Sequence, residues 1–138
     1  LKEEAAMLSF EAMLTDQILP HVPILVIDDD RALLPIFDWL IHAVSPGLHY
    51  HWCASVEEAR EHIERNRYRL ILSDFLLEGT GNGLDLWELN RASEAPAEFA
   101  MMSSLKLSDF CRSETGPRLL AKPLDVGEVQ ALIRKACR

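Results

Sequence analysis

From Ile24 onward the chain alternates short apolar runs with segments of helical period, and this rhythm limits what it can fold into more than any single residue does. The candidate strands are Ile24 to Ile27, Leu48 to Ala54, Leu70 to Ser73, Phe99 to Ser103 and Arg118 to Ala121. After the first, Leu33, Ile36, Phe37, Leu40, Ile41 and Val44 recur at helical spacing, and Ser45-Pro46-Gly47 stops that helix. Ser55 with Glu58 forms a capping box ahead of Val56, Ala59 and Ile63, and Asp125 with Glu128 repeats it ahead of Val129, Leu132, Ile133 and Ala136. Trp39 and Trp87 fall on helices and read as packing residues. Strands that alternate with helices imply βαβ crossovers, and so a doubly wound α/β domain with a parallel sheet covered on both faces.

In open sheets of this kind ligands gather at the carboxyl ends of the strands. The residues there are polar: Asp28-Asp29-Asp30 after the first strand, Ser73-Asp74 at the third, Ser103-Ser104 at the fourth and Lys122-Pro123 after the fifth. Adjacent carboxylates disfavour one another's ionisation and persist where a cation neutralises them or where they splay into water. An oxygen-rich, thiol-free cluster suits Mg²⁺, and a lysine with a hydroxyl beside it suits a phosphoryl group. Taken without the other motifs, Asp28 and Asp29 read better as a helix cap, and Asp30 as a solvated residue at the helix entrance. His49 and His51 share one face of a strand but lack a third ligand nearby, so a metal there is not the preferred reading.

A chain of 138 residues fits one compact domain. Cys53, Cys111 and Cys137 are odd in number and irregularly spaced, which points to a reduced, cytoplasmic protein. The net charge of −8 opposes direct contact with nucleic acid, and no stretch is apolar and long enough to span a membrane. Residues 1–22 read as an amphipathic helix and linker, with Leu1, Ala5, Leu8 and Ala12 and again Phe10, Leu14 and Ile18 at helical spacing before Pro20 and Pro23. The domain proper is 23–138. The leading helix needs a surface to bury it, on the domain itself or against a second copy; dimerisation or a connection to another domain is the preferred reading, and the chain, which opens on Leu, reads as a piece of a longer one.

The motifs ILVIDDD, LILSDFLLEGTGNGLDL, MMSS and LLAKPL, in this order over residues 24–138, resemble those of the receiver domain of bacterial two-component response regulators. The resemblance implies a flavodoxin-like (βα)5 fold with strand order 2-1-3-4-5, here with an extra N-terminal helix. It implies that Asp74 accepts a phosphoryl group from a sensor histidine kinase or histidine phosphotransfer protein, with Mg²⁺ as cofactor. The metal would be held by Asp29 directly, by Asp28 through water, by Asp74 and by the backbone carbonyl of Leu76. Ser103 and Lys122 would meet the phosphoryl oxygens, and a cis bond would join Lys122 to Pro123. Such a domain is not an enzyme in the ordinary sense, and its output lies with a downstream protein partner or an output domain outside this chain.

The chain departs from that pattern in places. The loop Glu78-Gly79-Thr80-Gly81-Asn82-Gly83 is a residue longer than usual and lacks its proline, and the fourth helix, interrupted by Ser113, Gly116 and Pro117, is expected to be short or partly unwound. Leu119 stands where most receivers carry Tyr or Phe. Leu76 and Leu105 flank the path of an attacking water and cannot orient it, so a long-lived phosphoryl group is expected. The alternatives are a non-phosphorylated pseudo-receiver that only docks, and a haloacid-dehalogenase-like phosphohydrolase. The second needs Asp-x-Asp-x-Thr or Val, whereas Asp28-Asp29-Asp30-Arg31 is followed by Ala32.

Overall fold

A computed structural model describes residues 19–79, 81–104 and 116–138. In chain order these form β1 (Ile24–Ile27), a 3-10 turn (Arg31–Leu33), α1 (Leu34–Val44), β2 (Tyr50–Cys53), α2 (Val56–Arg65), β3 (Leu70–Asp74), α3 (Gly83–Arg91), β4 (Glu98–Ser103), β5 (Arg118–Ala121) and α4 (Val126–Ala136). The five strands are parallel in the order β2-β1-β3-β4-β5, as the resemblance implied. The helix expected over residues 1–19, the segment of the expected fourth helix, Leu105, Cys111 and Thr80 lie outside the described residues, Leu19 excepted.

The strand runs are continuously apolar because both faces of the sheet are covered, and all four residues of β1 are fully buried. Alternate side chains serve two layers. Ile24, Val26, Leu70, Leu72, Ala100, Met102 and Leu120 meet Phe37, Leu40 and Ile41 of α1 and Val129, Leu132 and Ile133 of α4. Leu25, Ile27, Ile71, Phe99 and Met101 meet Val56 and Ala59 of α2 and Leu86 of α3. Each such Leu, Ile or Phe contributes about 1.5–3 kcal/mol through removal from water.

The helices α2, α3 and α4 begin where the sequence supplies caps. The Ser55 hydroxyl accepts from Glu58 N at 3.2 Å, Glu58 reaches back to Ala54 N at 3.4 Å, and Asp125 accepts from Glu128 N at 2.8 Å. Asn82 and Asp85 form a further box that opens α3, with Leu84 N on Asn82 Oδ1 and Asn82 N on Asp85 Oδ2, both 2.8 Å.

Several expectations need correction. β2 is shorter at both ends, because Leu48 N turns back onto Ser45 O at 3.1 Å and Ala54 lies at the cap of α2. β3 extends to Asp74 and β4 starts at Glu98. Ile36 and Trp39 do not pack inward: they are 48% and 58% exposed, since the sheet covers only the Phe37, Leu40 and Ile41 side of α1. Trp87 does pack, partly buried in the second layer with the Arg91 guanidinium 4.8 Å above its ring.

Candidate acidic site

β1, β3 and β5 end at the same edge, and their terminal residues meet there. In register, Ile27 lies beside Ser73, Asp74 beside Met102, and Ser103 beside Ala121. Asp28 follows β1 directly, its amide on Cys53 O at 3.0 Å, and its side chain has no exposed surface. Asp29 and Asp30 turn outward into solvent. One Asp28 oxygen accepts from Asp30 N at 2.9 Å, and Asp30 caps the following turn through Ala32 N at 3.1 Å. The three aspartates therefore divide: the exposed Asp30 is the cap, a part the sequence reading had offered to Asp28 and Asp29.

Ligand oxygens of Asp28, Asp29 and Asp74 all lie within 4.8 Å of one another. Lys122 Nζ stands 3.1 Å from Asp28 Oδ2 and 3.5 Å from Asp74 Oδ1. Lys122 N donates to Ser103 O at 2.9 Å, and the Lys122-Pro123 bond is cis, as the resemblance implied. Burial opposes the charge on Lys122, but the hydrogen bond and attraction to Asp28, then to Asp74, outweigh it and raise its pKa. Asp74 is also raised. Burial is the largest cause, Lys122 opposes it, and Asp28 and Asp29 add to it. One ammonium is thus set against three carboxylates, an excess of negative charge that a divalent cation would neutralise, and an oxygen-only donor set fits Mg²⁺.

The strand end is braced from below. Ser73 Oγ donates to Asp74 O at 2.9 Å, Phe75 N donates to Met102 O at 3.0 Å, and Gly83 N donates to Phe75 O at 2.9 Å. Gly83 was not singled out by sequence reasoning. A Cβ there would stand 2.7 Å from Asp74 O and 2.9 Å from Met101 Sδ, so only glycine lets α3 begin this close to Asp74. Gly79, at φ +108, likewise leaves room for the Glu57 carboxylate. Of the other expected site residues, Ser103 is buried at the end of β4, and the Leu76 side chain is 60% exposed in the loop after β3.

His49 and His51 do not act together. His49 stacks with His21, centroids 5.1 Å apart, while His51 Nδ1 lies 2.7 Å from the buried hydroxyl of Tyr68, itself 3.3 Å from His62 Nδ1. Among the described residues the carboxylates Asp28, Asp29 and Asp74 form the metal-competent cluster.

A five-stranded parallel sheet in this order, with paired acids after β1, an aspartate ending β3 and a lysine after β5, defines the receiver fold. Solved structures agree. The receiver domain of a Francisella response regulator superposes with a TM-score of 0.71 at 20% identity, covering 85% of this chain and 95% of its own. The receiver domain of a Pseudomonas aeruginosa sensor histidine kinase, solved with a magnesium ion coordinated in its active site cleft, gives 0.70 at 21%, covering 84% and 97%. That of the hybrid histidine kinase CckA gives 0.66 at 24%, covering 84% and 99%. No family model and no curated protein sequence matches the chain. Among the described residues no helix is long and apolar enough to cross a membrane.

Proposed function

We propose that this chain is a response regulator receiver of two-component signalling that takes a phosphoryl group onto Asp74 from the phosphohistidine of a sensor histidine kinase or phosphotransfer protein. The observation that carries the reading is the convergence of Asp28, Asp29 and Asp74 within 4.8 Å, with Lys122 reaching two of them. An Asp74 oxygen attacks phosphorus as the P–N bond breaks. The electron pair leaves with the imidazole nitrogen, which takes up a proton from solvent. Bound Mg²⁺ would offset the charge of the three carboxylates and of the incoming phosphoryl oxygens. Asp29 would supply the exposed ligand, Asp28 the buried one engaged by Lys122, and Asp74 with the Leu76 carbonyl would complete the set. Lys122 then divides its charge between Asp28 and the phosphoryl group, and the Ser103 hydroxyl meets a second phosphoryl oxygen. The product is a change in protein contacts rather than a released molecule, so the chain is a signalling domain rather than an enzyme.

Incubation with acetyl phosphate and Mg²⁺, beside Asp74→Asn, tests this. Stable labelling that disappears in Asp74→Asn supports the receiver, rapid turnover points to a hydrolase, and absence of labelling to a docking module.

A further inference from the structure

The turn from β2 into α2 holds two parts of the acidic site at once. At its start, Cys53 O accepts from Asp28 N at 3.0 Å, which fixes the backbone of the buried carboxylate. At its end, Val56 N donates to Glu78 O at 3.1 Å, and Ser55 and Glu78 form a parallel bridge outside the five strands. Glu78 lies in the loop after β3, just beyond Leu76. The support is rigid, because Cys53 and Val56 are both buried in the second layer of the core. Val56 is also the first residue of α2, where a backbone N–H has no partner inside the helix and can serve a carbonyl from elsewhere. Gly79 adds a further point of contact: at φ +108 and with no side chain, it lets the Glu57 carboxylate lie where a Cβ would stand.

We infer that residues 53–57 are a positioning element for the metal site, in which the Val56 amide sets the separation between Asp28 and the loop that carries Leu76. The inference rests on the Mg²⁺ reading given above. Mg²⁺ demands near-ideal octahedral geometry with oxygens at about 2.0–2.1 Å, and ligands that come from different elements must be held to within about 0.5 Å of the productive arrangement. β1 and β3 meet that demand through their pairing in the sheet. The loop after β3 lies outside the ladder. Its start is tied by Phe75 N to Met102 O and its end by Gly83 N to Phe75 O, and the Val56 amide ties its middle to the segment that also holds Asp28. None of residues 53–57 belongs to the ligand set, so their effect on the ion is exerted through Asp28 and the loop.

Val56→Pro isolates this bond. Proline fits the first position of a helix, and Ser55, at φ −135 and ψ 162, already has the extended backbone required before it, so α2 can start as before while the N–H is lost. Val56→Ala is the comparison, because it keeps the N–H and also reduces the buried side chain. Calorimetric titration of the full chain with Mg²⁺ gives the affinities, and circular dichroism with urea denaturation in the absence of metal follows the fold. Val56→Pro is expected to bind Mg²⁺ about tenfold more weakly than Val56→Ala, the loss that follows when an outer-shell partner of a metal site is removed. Gly79→Ala, in an exposed loop, is expected to weaken binding relative to wild type, because its methyl and the Glu57 carboxylate compete for one space. Equal affinity in Val56→Pro and Val56→Ala overturns the inference. If α2 unravels in Val56→Pro, Gly79→Ala decides alone, and wild-type affinity in it overturns the inference. A wild type that binds no Mg²⁺ overturns the metal reading itself, and this inference with it, before any variant is compared.

Discussion

Lys122 Nζ lies 3.1 Å from Asp28 Oδ2, a carboxylate with no exposed surface, although the two residues are 94 positions apart. The pair joins the ends of β1 and β5 across the whole site. Removing one partner of such a pair leaves the other charge buried and alone. Lys122→Met is therefore expected to cost on the order of 2–4 kcal/mol, somewhat below a fully buried pair because Lys122 keeps contact with water. Urea denaturation measures the loss. Mg²⁺ should recover part of it by supplying the missing positive charge, and a loss indifferent to Mg²⁺ would count against a shared cation site.

The acid cluster predicts a metal effect on the unmodified chain as well. A cation that binds only the folded site adds about 2.7 kcal/mol when its free concentration is 100 times Kd. Mg²⁺ titration followed by thermal denaturation should raise Tm in the wild type and raise it less in Asp29→Asn. Equal shifts in the two proteins would place the ion elsewhere.

Much of this arrangement was legible in the sequence, for particular reasons. Ile24–Ile27 is apolar throughout because both sheet faces are buried, so the change to Asp28 marks the strand end without ambiguity. The positions of Asp74 and Lys122 follow once the strands are parallel, since each lies at the end of a run. Helical periodicity was less informative about α1. Six apolar positions describe a stripe wider than the sheet can cover, and spacing alone does not say that Ile36 falls on its uncovered edge. Spacing is equally silent on Gly83, whose importance depends on a carbonyl nine residues earlier in the chain.

That close approach makes Gly83 a sharp test of how Asp74 is held. Gly83→Ala puts a methyl against a backbone carbonyl that cannot rotate away, and overpacking of this sort costs about 1–3 kcal/mol. Because the displaced atom belongs to Asp74, labelling by acetyl phosphate should slow as well. A loss of stability with unchanged labelling would show that α3 yields instead of β3.

Leu76 bears on the lifetime of the product. Its side chain is 60% exposed in the loop after β3 and has no group to hold or activate a water. Leu76→Asn introduces a donor and an acceptor there and is expected to shorten the half-life of the phosphorylated chain several-fold. Decay of the labelled protein after removal of acetyl phosphate gives the comparison, and an unaltered half-life would sink the idea.

The network His51–Tyr68–His62 predicts how stability responds to acid. One phenol hydrogen serves two imidazole nitrogens, at 2.7 and 3.3 Å, so only one ring can receive it and the other must donate to the oxygen. Protonating His51 makes its Nδ1 a donor and places a cation in a ring whose centroid is 5.1 Å from that of His62. Burial, and then the charge of His62, hold the pKa of His51 below its ordinary value. The unfolded chain, with a pKa near 6.5, therefore binds this proton first as pH falls. Above that value His51 contributes nothing to the pH dependence. Below it stability declines, until the lower pKa of the folded state is passed and the penalty levels off. Thermal denaturation between about pH 7.5 and pH 5 should show a larger fall in Tm for the wild type than for His51→Gln, which keeps a hydrogen-bond partner for Tyr68 but cannot charge. Parallel curves would mean that carboxylates common to both proteins account for the whole response.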